Sequence, residues 1–382
     1  MARTLGAVLD QCKGFGPGFD FMRVFLAAAV LSWHSVGIAN GNYALLKSTP
    51  LWIVEFVTLP LFFALSGFLV AASATRLSLR SFLTNRGLRI VPALAVDILI
   101  CALILGPLLT TRPLSEYFKH PDFFRYFANI VGWVHYDLPG VFETNPSPRV
   151  NGALWTVPFE IGCYAALSVL IALRLHNKAW ALAASGFGLL IAAVLVERLG
   201  VMARLPELAA KFVDALLFDR GARLIPAFLL GALVYRLRHA LPYSWGLGLA
   251  IAAAGSVLAV LGDQSLTRDA TLSLIATPLM AYMIALLGLT PLPKLPFYST
   301  GDYSYGLYLY HVPMQQTVVF LVPGAGPLLV LLISLPVTSA LAALSWWCVE
   351  KPVLALRKHA AFANWMRAAH GAGVEERPRS PV

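Results

Sequence analysis

Residues 21–39 read FMRVFLAAAVLSWHSVGIA, and this stretch decides the class of fold. It is apolar over about the 20 residues that a helix needs to cross the hydrocarbon core of a membrane. A histidine, His34, nevertheless lies inside it, and Arg23 stands near its front edge. An ionisable group at membrane depth is costly, so His34 indicates either a functional role or a polar partner on another helix.

The remainder of the chain repeats this apolar pattern. Of its 382 residues, 58% are hydrophobic and only 13% are charged, whereas a soluble domain has about 25% charged residues. Lipid admits only helices and closed barrels, and the alternating segments of about ten residues that build a barrel are not found here. The sequence therefore predicts an all-α integral membrane protein.

The apolar runs predict a bundle of about ten transmembrane helices. Their approximate bounds are 20–39, 51–73, 88–109, 153–174, 179–197, 221–236, 244–262, 270–289, 303–322 and 326–348. If the N-terminus lies in the cytoplasm, most of the 29 lysines and arginines fall on the cytoplasmic side, as the positive-inside rule requires. An even number of spans then places both termini in the cytoplasm. The net charge of +10 reflects this topology rather than binding to nucleic acid.

The longest predicted loop, 110–152, lies on the outer side and contains SEYFKHPDFFRYFANIVGWVH. Its aromatic residues recur at roughly helical spacing. This pattern fits an amphipathic helix that lies at the membrane interface. It also fits a wall of an external acceptor site, because aromatic faces suit sugar rings.

The spacing of the basic residues suggests a binding site for an extended ligand. His34 lies about 16 Å along its helix from Arg23, at 1.5 Å per residue. Arg86 and Arg89 are three residues apart, so both point to one side of a helix, where two guanidinium groups suit phosphates. Coenzyme A fits this spacing, with its phosphates on the arginines and its thioester near His34.

Besides His34, one histidine and three acids lie inside predicted spans, namely His311, Glu55, Asp97 and Glu160, and no role is assigned to Glu55 or Asp97. Glu160 enters its span from the outer side, and His311 lies near the middle of another span. From the residues alone, each of these groups also has an ordinary structural explanation. His34, Glu160 and His311 can form polar contacts between helices. Arg86 and Arg89 can act as positive-inside anchors.

The order of motifs along the chain resembles the membrane-bound acyltransferase family 3, whose members modify bacterial surface glycans and related molecules. The motifs are FDFMR at 19–23, LPLFFALSGFLV at 59–70, NRGLRIVP at 85–92, NGALWTVPFE at 151–160, YSYGLYLYH at 303–311 and WWCVEKP at 346–352. The resemblance extends over about residues 15–355 and predicts one transmembrane acyltransferase domain there. Residues 356–382 are then a flexible cytoplasmic tail.

The resemblance implies a role for each polar position. In the family, an arginine and a histidine eleven residues apart mark the first helix, as Arg23 and His34 do here. The implied catalytic residues are His34, Glu160 and His311, the implied donor-binding residues are Arg23, Arg86 and Arg89, and the implied substrate-binding residues are Trp155 and Tyr308. His34 is expected to act as general base on the acceptor hydroxyl.

The implied activity is O-acyl transfer, which belongs to the acyltransferases that transfer groups other than aminoacyl groups. An acyl group, most often acetyl, would move from acyl-CoA to a hydroxyl of a cell-surface carbohydrate or its lipid-linked precursor in the bacterial cytoplasmic (inner) membrane. No permanently bound cofactor and no metal are expected, since the four cysteines form no CxxC pair. Expected partners are acyl-CoA, the carbohydrate or glycolipid acceptor, membrane lipids and a second copy in a homo-oligomer, but not nucleic acid.

A proton-coupled transporter or flippase of a glycolipid or small solute is the alternative from another class. It would also use buried histidine and glutamate side chains as proton relays. Many transporters are built from repeated halves with broken helices in matching positions, and no such repeat is found in this sequence. O-acyl transfer is therefore the preferred interpretation.

Overall fold

The computed structural model describes residues 3–219 and 221–356. In this part of the chain the backbone is predominantly helical and contains no β-strand. This confirms the predicted all-α class. From residue 357 onward, the predicted cytoplasmic tail lies outside the described residues.

Among the described residues, ten helices of at least 13 residues, named α1–α10, match the predicted spans in order. They are α1 Phe19–Asn40, α2 Trp52–Ala74, α3 Leu79–Leu109, α4 Gly152–Ala172, α5 Ala179–Arg198, α6 Leu224–Arg236, α7 Trp245–Leu261, α8 Ala270–Gly288, α9 Ser304–Leu321 and α10 Pro327–Ala355. Seven of them, all except α6, α7 and α9, have the length and apolar composition of a membrane span. The chain is therefore a multi-pass membrane protein. The count of ten spans and the cytoplasmic termini stay predictions.

Helix α9 is less apolar than its neighbours because polar side chains are among its buried residues. His311, Gln315 and Gln316 are each at most 1% exposed. The amide of Gln315 donates a hydrogen bond of 2.8 Å to the carbonyl oxygen of Leu31 on α1. A helix with these residues is stable inside the bundle because protein groups rather than lipid surround its polar side.

Close packing between α2 and α6 depends on two glycines. A Cβ atom at Gly67 would overlap the carbonyl oxygen of Phe228, and a Cβ atom at Gly231 would overlap that of Ala64. Small residues let helix backbones approach closely in lipid, where van der Waals contact drives association. Each glycine thus faces the backbone of the opposite helix, and together they fix one wall of the site.

Two spans contain a single π-helical turn, Cys101–Leu105 in α3 and Trp346–Glu350 in α10. A π-turn is rare and is frequent at functional sites. The second turn ends at Glu350, whose side chain is buried inside the bundle. It therefore presents a carboxylate to the interior of a span that is otherwise apolar.

The loop between α3 and α4 does not form a single amphipathic helix. It contains two short helices, Leu114–Tyr117 and Pro121–Tyr126, and further turns. The side chains of Phe124 and Trp133 are 62% and 77% exposed. These exposed rings agree with a position at the membrane interface, and no residue of 114–133 lines the cavity that holds His34.

Candidate active site

Two histidines from distant parts of the chain meet between α1 and α9. The Nε2 atom of His311 lies 3.1 Å from the Nδ1 atom of His34, and the ring centroids are 4.9 Å apart. His311 is completely buried, whereas His34 is half-buried and lines a cavity. The structure thus brings together two of the three predicted catalytic residues.

Backbone carbonyl groups determine the protonation pattern of this pair. His311 Nδ1 lies 2.7 Å from the carbonyl oxygen of Tyr308. That oxygen can only accept, so Nδ1 carries the proton and Nε2 is an acceptor. His34 Nδ1 faces this acceptor nitrogen and also the carbonyl oxygen of Val30, 3.0 Å away, so it carries a proton as well. In the neutral pair the basic lone pair of His34 is therefore on Nε2, as a general base requires.

His34 lines a cavity of 270 Å³, here called the histidine chamber. Trp33, Tyr43 and Trp155 supply aromatic walls, and the rings of Trp33 and Tyr43 stack with centroids 5.5 Å apart. Concave sites with aromatic walls and a few polar groups are typical of small-ligand binding. Trp155, a predicted substrate-binding residue, thus lines the same cavity as His34.

Charged residues also line the histidine chamber, although the sequence analysis assigned a role to none of them. They are Lys47, Glu55, Asp219, Arg223 and Arg268. The Nζ atom of Lys47 lies 3.2 Å from an oxygen of Glu55. These residues lie in loops or at helix ends, where a charge looks like ordinary surface polarity in sequence. In the described part of the chain, no three histidine, cysteine, aspartate or glutamate side chains are arranged to hold a metal ion.

The three predicted donor-binding arginines share a second cavity of 210 Å³, here called the arginine cavity. Arg23 comes from α1, whereas Arg86 and Arg89 come from one side of α3, as their spacing predicted. Glu160 lines this cavity too. Because Arg23 and His34 are about 16 Å apart along one helix, the arginine cavity and the histidine chamber lie at opposite ends of the site.

Arg89 is held by two carboxylates that the sequence analysis did not single out. Its Nη1 lies 2.7 Å from Oε2 of Glu350, and its Nη2 lies 2.8 Å from Oδ2 of Asp302. Arg23 lies 3.2 Å from the same Asp302 oxygen. Burial raises the pKa of the Asp302 carboxyl, but Arg89 and Arg23 outweigh this effect and hold the pKa at about 2. The charge of Arg89 is thus largely compensated within the protein.

Arg86 differs, because among the described residues it forms no ion pair with a carboxylate. Its Nε atom is buried without a hydrogen-bond partner in that part of the chain. Its guanidinium carbon lies 5.8 Å from the centroid of the Tyr164 ring. A cation with an unused donor at a cavity attracts anions. Arg86 is therefore the arginine with the most capacity to hold a phosphate.

Glu160 lies at the arginine cavity rather than in the histidine chamber. One of its oxygens accepts a hydrogen bond of 2.9 Å from the hydroxyl of Tyr164, one helical turn later. Arg86 and Arg89 line the same cavity. This position favours charge balance with the arginines over a direct contact with His34.

A third cavity of 70 Å³, here called the neck, adjoins the other two. It shares Phe62 and Ser66 with the arginine cavity and Leu59 with the histidine chamber. Tyr308, a predicted substrate-binding residue, lines the neck, and its hydroxyl lies 2.7 Å from that of Thr156. The three cavities therefore adjoin in series along the bundle.

Asp97, to which the sequence analysis assigned no role, anchors the chain just before α4. It is buried, and its Oδ2 accepts a hydrogen bond of 2.9 Å from the amide of Asn151. The same amide donates to the carbonyl oxygen of Leu309 at 3.0 Å. Asn151 thereby links α3 to α9, and its contact on α9, Leu309, lies two residues before His311. This contact positions the histidine-bearing helix.

The chain is similar to known proteins over most of its length. The acyltransferase 3 family model, an acyltransferase domain, matches residues 17–347. Nodulation protein 10 of Rhizobium leguminosarum bv. viciae is 30% identical over 391 aligned positions, which cover 92% of this chain and 97% of that protein. An O-acetyl transferase of Shigella phage Sf6 is 27% identical over 346 positions, which cover 88% of this chain and 95% of that protein. No solved structure matches the chain.

Proposed function

The chain belongs to the acyltransferase 3 family, and from that premise we propose that it transfers an acyl group, most often acetyl, from acyl-CoA. The group that receives it is a hydroxyl of a cell-surface carbohydrate or of its lipid-linked precursor. It is an enzyme that transfers acyl groups, and its similarity to an O-acetyl transferase supports transfer to oxygen. The acyl-CoA donor, the acceptor, the bacterial inner membrane and the residue roles that follow are parts of the proposal.

One arrangement carries the proposal: His34 faces an aromatic chamber, and an arginine cavity lies at the other end of the same helix. The phosphates of coenzyme A bind Arg86, and Arg23 and Arg89 complete the positive wall, because guanidinium groups form charge-assisted hydrogen bonds with phosphate oxygens. The thin pantetheine arm runs through the neck. The thioester then lies near His34, at the end of about 16 Å of helix.

The transfer is a single displacement. The acceptor hydroxyl lies in the histidine chamber, and Nε2 of His34 takes its proton while the oxygen attacks the carbonyl carbon of the thioester. The carbon–sulfur bond breaks, and the proton held by His34 passes to the departing thiolate, which leaves as the thiol of coenzyme A. General base catalysis of this kind contributes about 10²–10⁴-fold to the rate.

The neighbouring residues support this step. Nε2 of His311 accepts a hydrogen bond from Nδ1–H of His34 and keeps Nε2 of His34 directed toward the acceptor hydroxyl. Trp155 offers its ring to the acceptor sugar, and Tyr308 lines the passage of the thioester. Glu160 balances the charge of the arginine cavity when the donor is absent.

Membership of an acyltransferase family favours this reaction over a proton-coupled transporter or flippase. A transporter would use the histidine pair as a proton relay and would move its solute without chemical change. It would not consume acyl-CoA. Consumption of the donor therefore separates the two functions directly.

The test is acetyl-CoA consumption by the detergent-purified chain with crude cell-envelope glycan as acceptor. Wild type is compared with His34→Ala and with His239→Ala, a matched histidine control, since His239 is exposed and lines none of the three cavities. Binding of coenzyme A is measured separately by calorimetry. Loss of turnover in His34→Ala alone, with coenzyme A binding retained, supports the assigned role.

Equal turnover in all three proteins would remove His34 from the chemistry. If well-folded wild type neither bound coenzyme A nor consumed acetyl-CoA with any envelope fraction, acyl-CoA would be excluded as the donor.

A further inference from the structure

Two arginines form part of the wall of the histidine chamber, away from the arginine cavity. Arg223 directly precedes α6 and is only 9% exposed. One of its nitrogens donates to the carbonyl oxygen of Phe56 at 3.2 Å, and its guanidinium carbon lies 4.3 Å from the centroid of the Phe56 ring. Arg268, from the turn before α8, is exposed and lines the same chamber. The two guanidinium groups thus lie on the wall of one cavity.

In the part of the chain that the structure describes, these two arginines keep charges that no ion pair neutralises. Among the described residues, neither lies within ion-pair distance of a carboxylate. Glu55 of the chamber forms its ion pair with Lys47 and attracts Arg223 only from beyond ion-pair distance, and Asp219 is the other acid of the lining. A guanidinium group has five N–H donors, and the structure assigns one protein acceptor to Arg223. A buried cation is costly unless an anion compensates it, so this wall is suited to an anionic ligand.

On the basis of the proposed function, we propose that Arg223 and Arg268 form an anion-binding subsite for the acceptor, and that the acceptor carries an acidic group beside its reacting sugar. The group is either the carboxylate of an acidic sugar or a phosphate, both of which accept hydrogen bonds from guanidinium. The reacting hydroxyl then faces His34, and the acidic group faces the two arginines. The donor's own phosphates do not occupy this subsite, because they bind at the other end of α1.

The surroundings of Arg268 leave room for more of the acceptor. A neighbouring cavity of 620 Å³ shares Lys47, Thr267 and Arg268 with the histidine chamber. The remainder of a saccharide chain extends past Arg268 into this space. The subsite therefore lies between the reacting sugar and the rest of the acceptor, where it sets which hydroxyl reaches His34.

The test measures binding without acyl-CoA, on the full chain in detergent and at constant ionic strength, because salt screens exposed charges. The probes are methyl β-D-glucuronide, glucose 6-phosphate and the neutral methyl β-D-glucoside. Binding is followed by calorimetry and by tryptophan fluorescence, since Trp33 and Trp155 line the chamber. The variants are Arg223→Gln, Arg268→Gln and, as matched control, Arg204→Gln, whose exposed side chain lines none of these cavities.

We expect wild type to bind an acidic probe about tenfold to a hundredfold more tightly than the glucoside, as hydrogen bonds to a charged group are worth about 1.5–3 kcal/mol. Both glutamine variants should lose most of this preference, and the control should keep it. Tighter binding of the glucuronide identifies the acidic group of the acceptor as a carboxylate. Tighter binding of glucose 6-phosphate identifies it as a phosphate. Because Arg268 is exposed, we expect Arg268→Gln to fold, so this variant tests the proposal even if Arg223→Gln does not fold.

The proposal is overturned if the three probes bind equally, if none binds, or if the acidic preference survives in Arg268→Gln. These outcomes are distinct from failure of the proposed function. Binding of acidic probes through the arginines with no acetyl-CoA consumption would leave the subsite intact and reject acyl transfer from acyl-CoA. If acetyl-CoA were consumed equally fast with acidic and neutral acceptors, acyl transfer would be supported and the anion-binding subsite would be rejected.

Discussion

Arg89 on α3 and Glu350 on α10 form an ion pair across the bundle, with Nη1 and Oε2 2.7 Å apart. The carboxylate is 1% exposed, so the pair is largely removed from water. Removing one partner of such a pair is strongly destabilising, because it leaves an uncompensated buried charge. The pair therefore gives Arg89 a structural role that Arg86, three residues earlier, does not share.

This difference predicts separate effects for the two arginines. Arg86→Ala should raise the KM for acetyl-CoA by about tenfold to a hundredfold, with kcat little changed, because charged hydrogen bonds to the donor are lost. Arg89→Ala should instead lower the yield of folded protein. Initial rates and size-exclusion profiles distinguish these outcomes. Arg80→Ala, exposed on the same helix, is the control, and equal KM values for it and Arg86→Ala would exclude Arg86 from the donor site.

Asp302 predicts a loss of stability in acid. Although burial raises its pKa, Arg89 and Arg23 hold the pKa at about 2 in the folded protein, below the ordinary 3.8. The unfolded chain then takes up the proton first, so the stabilisation is complete above about pH 5 and is lost as the pH falls toward 2. The melting temperature in detergent should fall over this range, and fall less in Asp302→Asn. An equally steep fall in both proteins would assign the acid sensitivity to other groups.

The hydrogen bond between the two histidines predicts a graded series of variants. His311→Ala should lower kcat by about tenfold to a hundredfold, because His34 loses the acceptor that orients it. His311→Gln should retain more activity than His311→Ala, since the amide oxygen of glutamine can still accept a hydrogen bond from Nδ1–H of His34. The KM values for both substrates should change little in either variant, which a general loss of structure would not produce. If both variants were as inactive as His34→Ala, His311 would itself have to transfer a proton.

The narrow neck predicts selectivity for short acyl chains. The rings of Phe62 and Tyr308 meet edge to face in the neck with centroids 6.2 Å apart, and the neck holds only 70 Å³. Phe62→Ala should raise the ratio of kcat/KM for butyryl-CoA over acetyl-CoA by about tenfold or more. In an apolar pocket, one extra methylene changes kcat/KM by about 10–200-fold. Phe25→Ala, at a side chain 54% exposed on α1, is the control. An unchanged ratio in Phe62→Ala would mean that the acyl group does not pass through the neck.

The helices were predictable because lipid imposes a single simple requirement. A run of about 20 apolar residues identifies a span without any knowledge of its neighbours. The shared side of Arg86 and Arg89 was predictable for a similar reason, since spacing within one helix fixes direction. Even α9, whose buried Gln315 and Gln316 lower its hydropathy, was predicted, because apolar residues lie on both sides of this pair.

The contacts between helices were not predictable from the same information. Nothing local in sequence links His34 to His311, which are 277 residues apart. Asp302 lies just before the start of α9, and Glu350 lies in the π-turn of α10. In sequence, a charge at either position looks like an ordinary residue at the end of a span. Their pairing with Arg89 depends on how α3, α9 and α10 pack. Glu160, predicted as a catalytic residue together with His34, lies with the arginines because α4 turns this side chain toward α3.

The neck also has a consequence for the energy balance of a cell. A membrane that stores an electrochemical gradient cannot tolerate a continuous aqueous pore, yet this protein has polar cavities toward both ends of its bundle. We expect the rings of Phe62, Phe63 and Phe228, which form the apolar part of the neck wall, to insulate these cavities from each other. We expect Phe62→Ala to weaken that insulation, so the variant that accepts a longer acyl chain should also make vesicles leak protons.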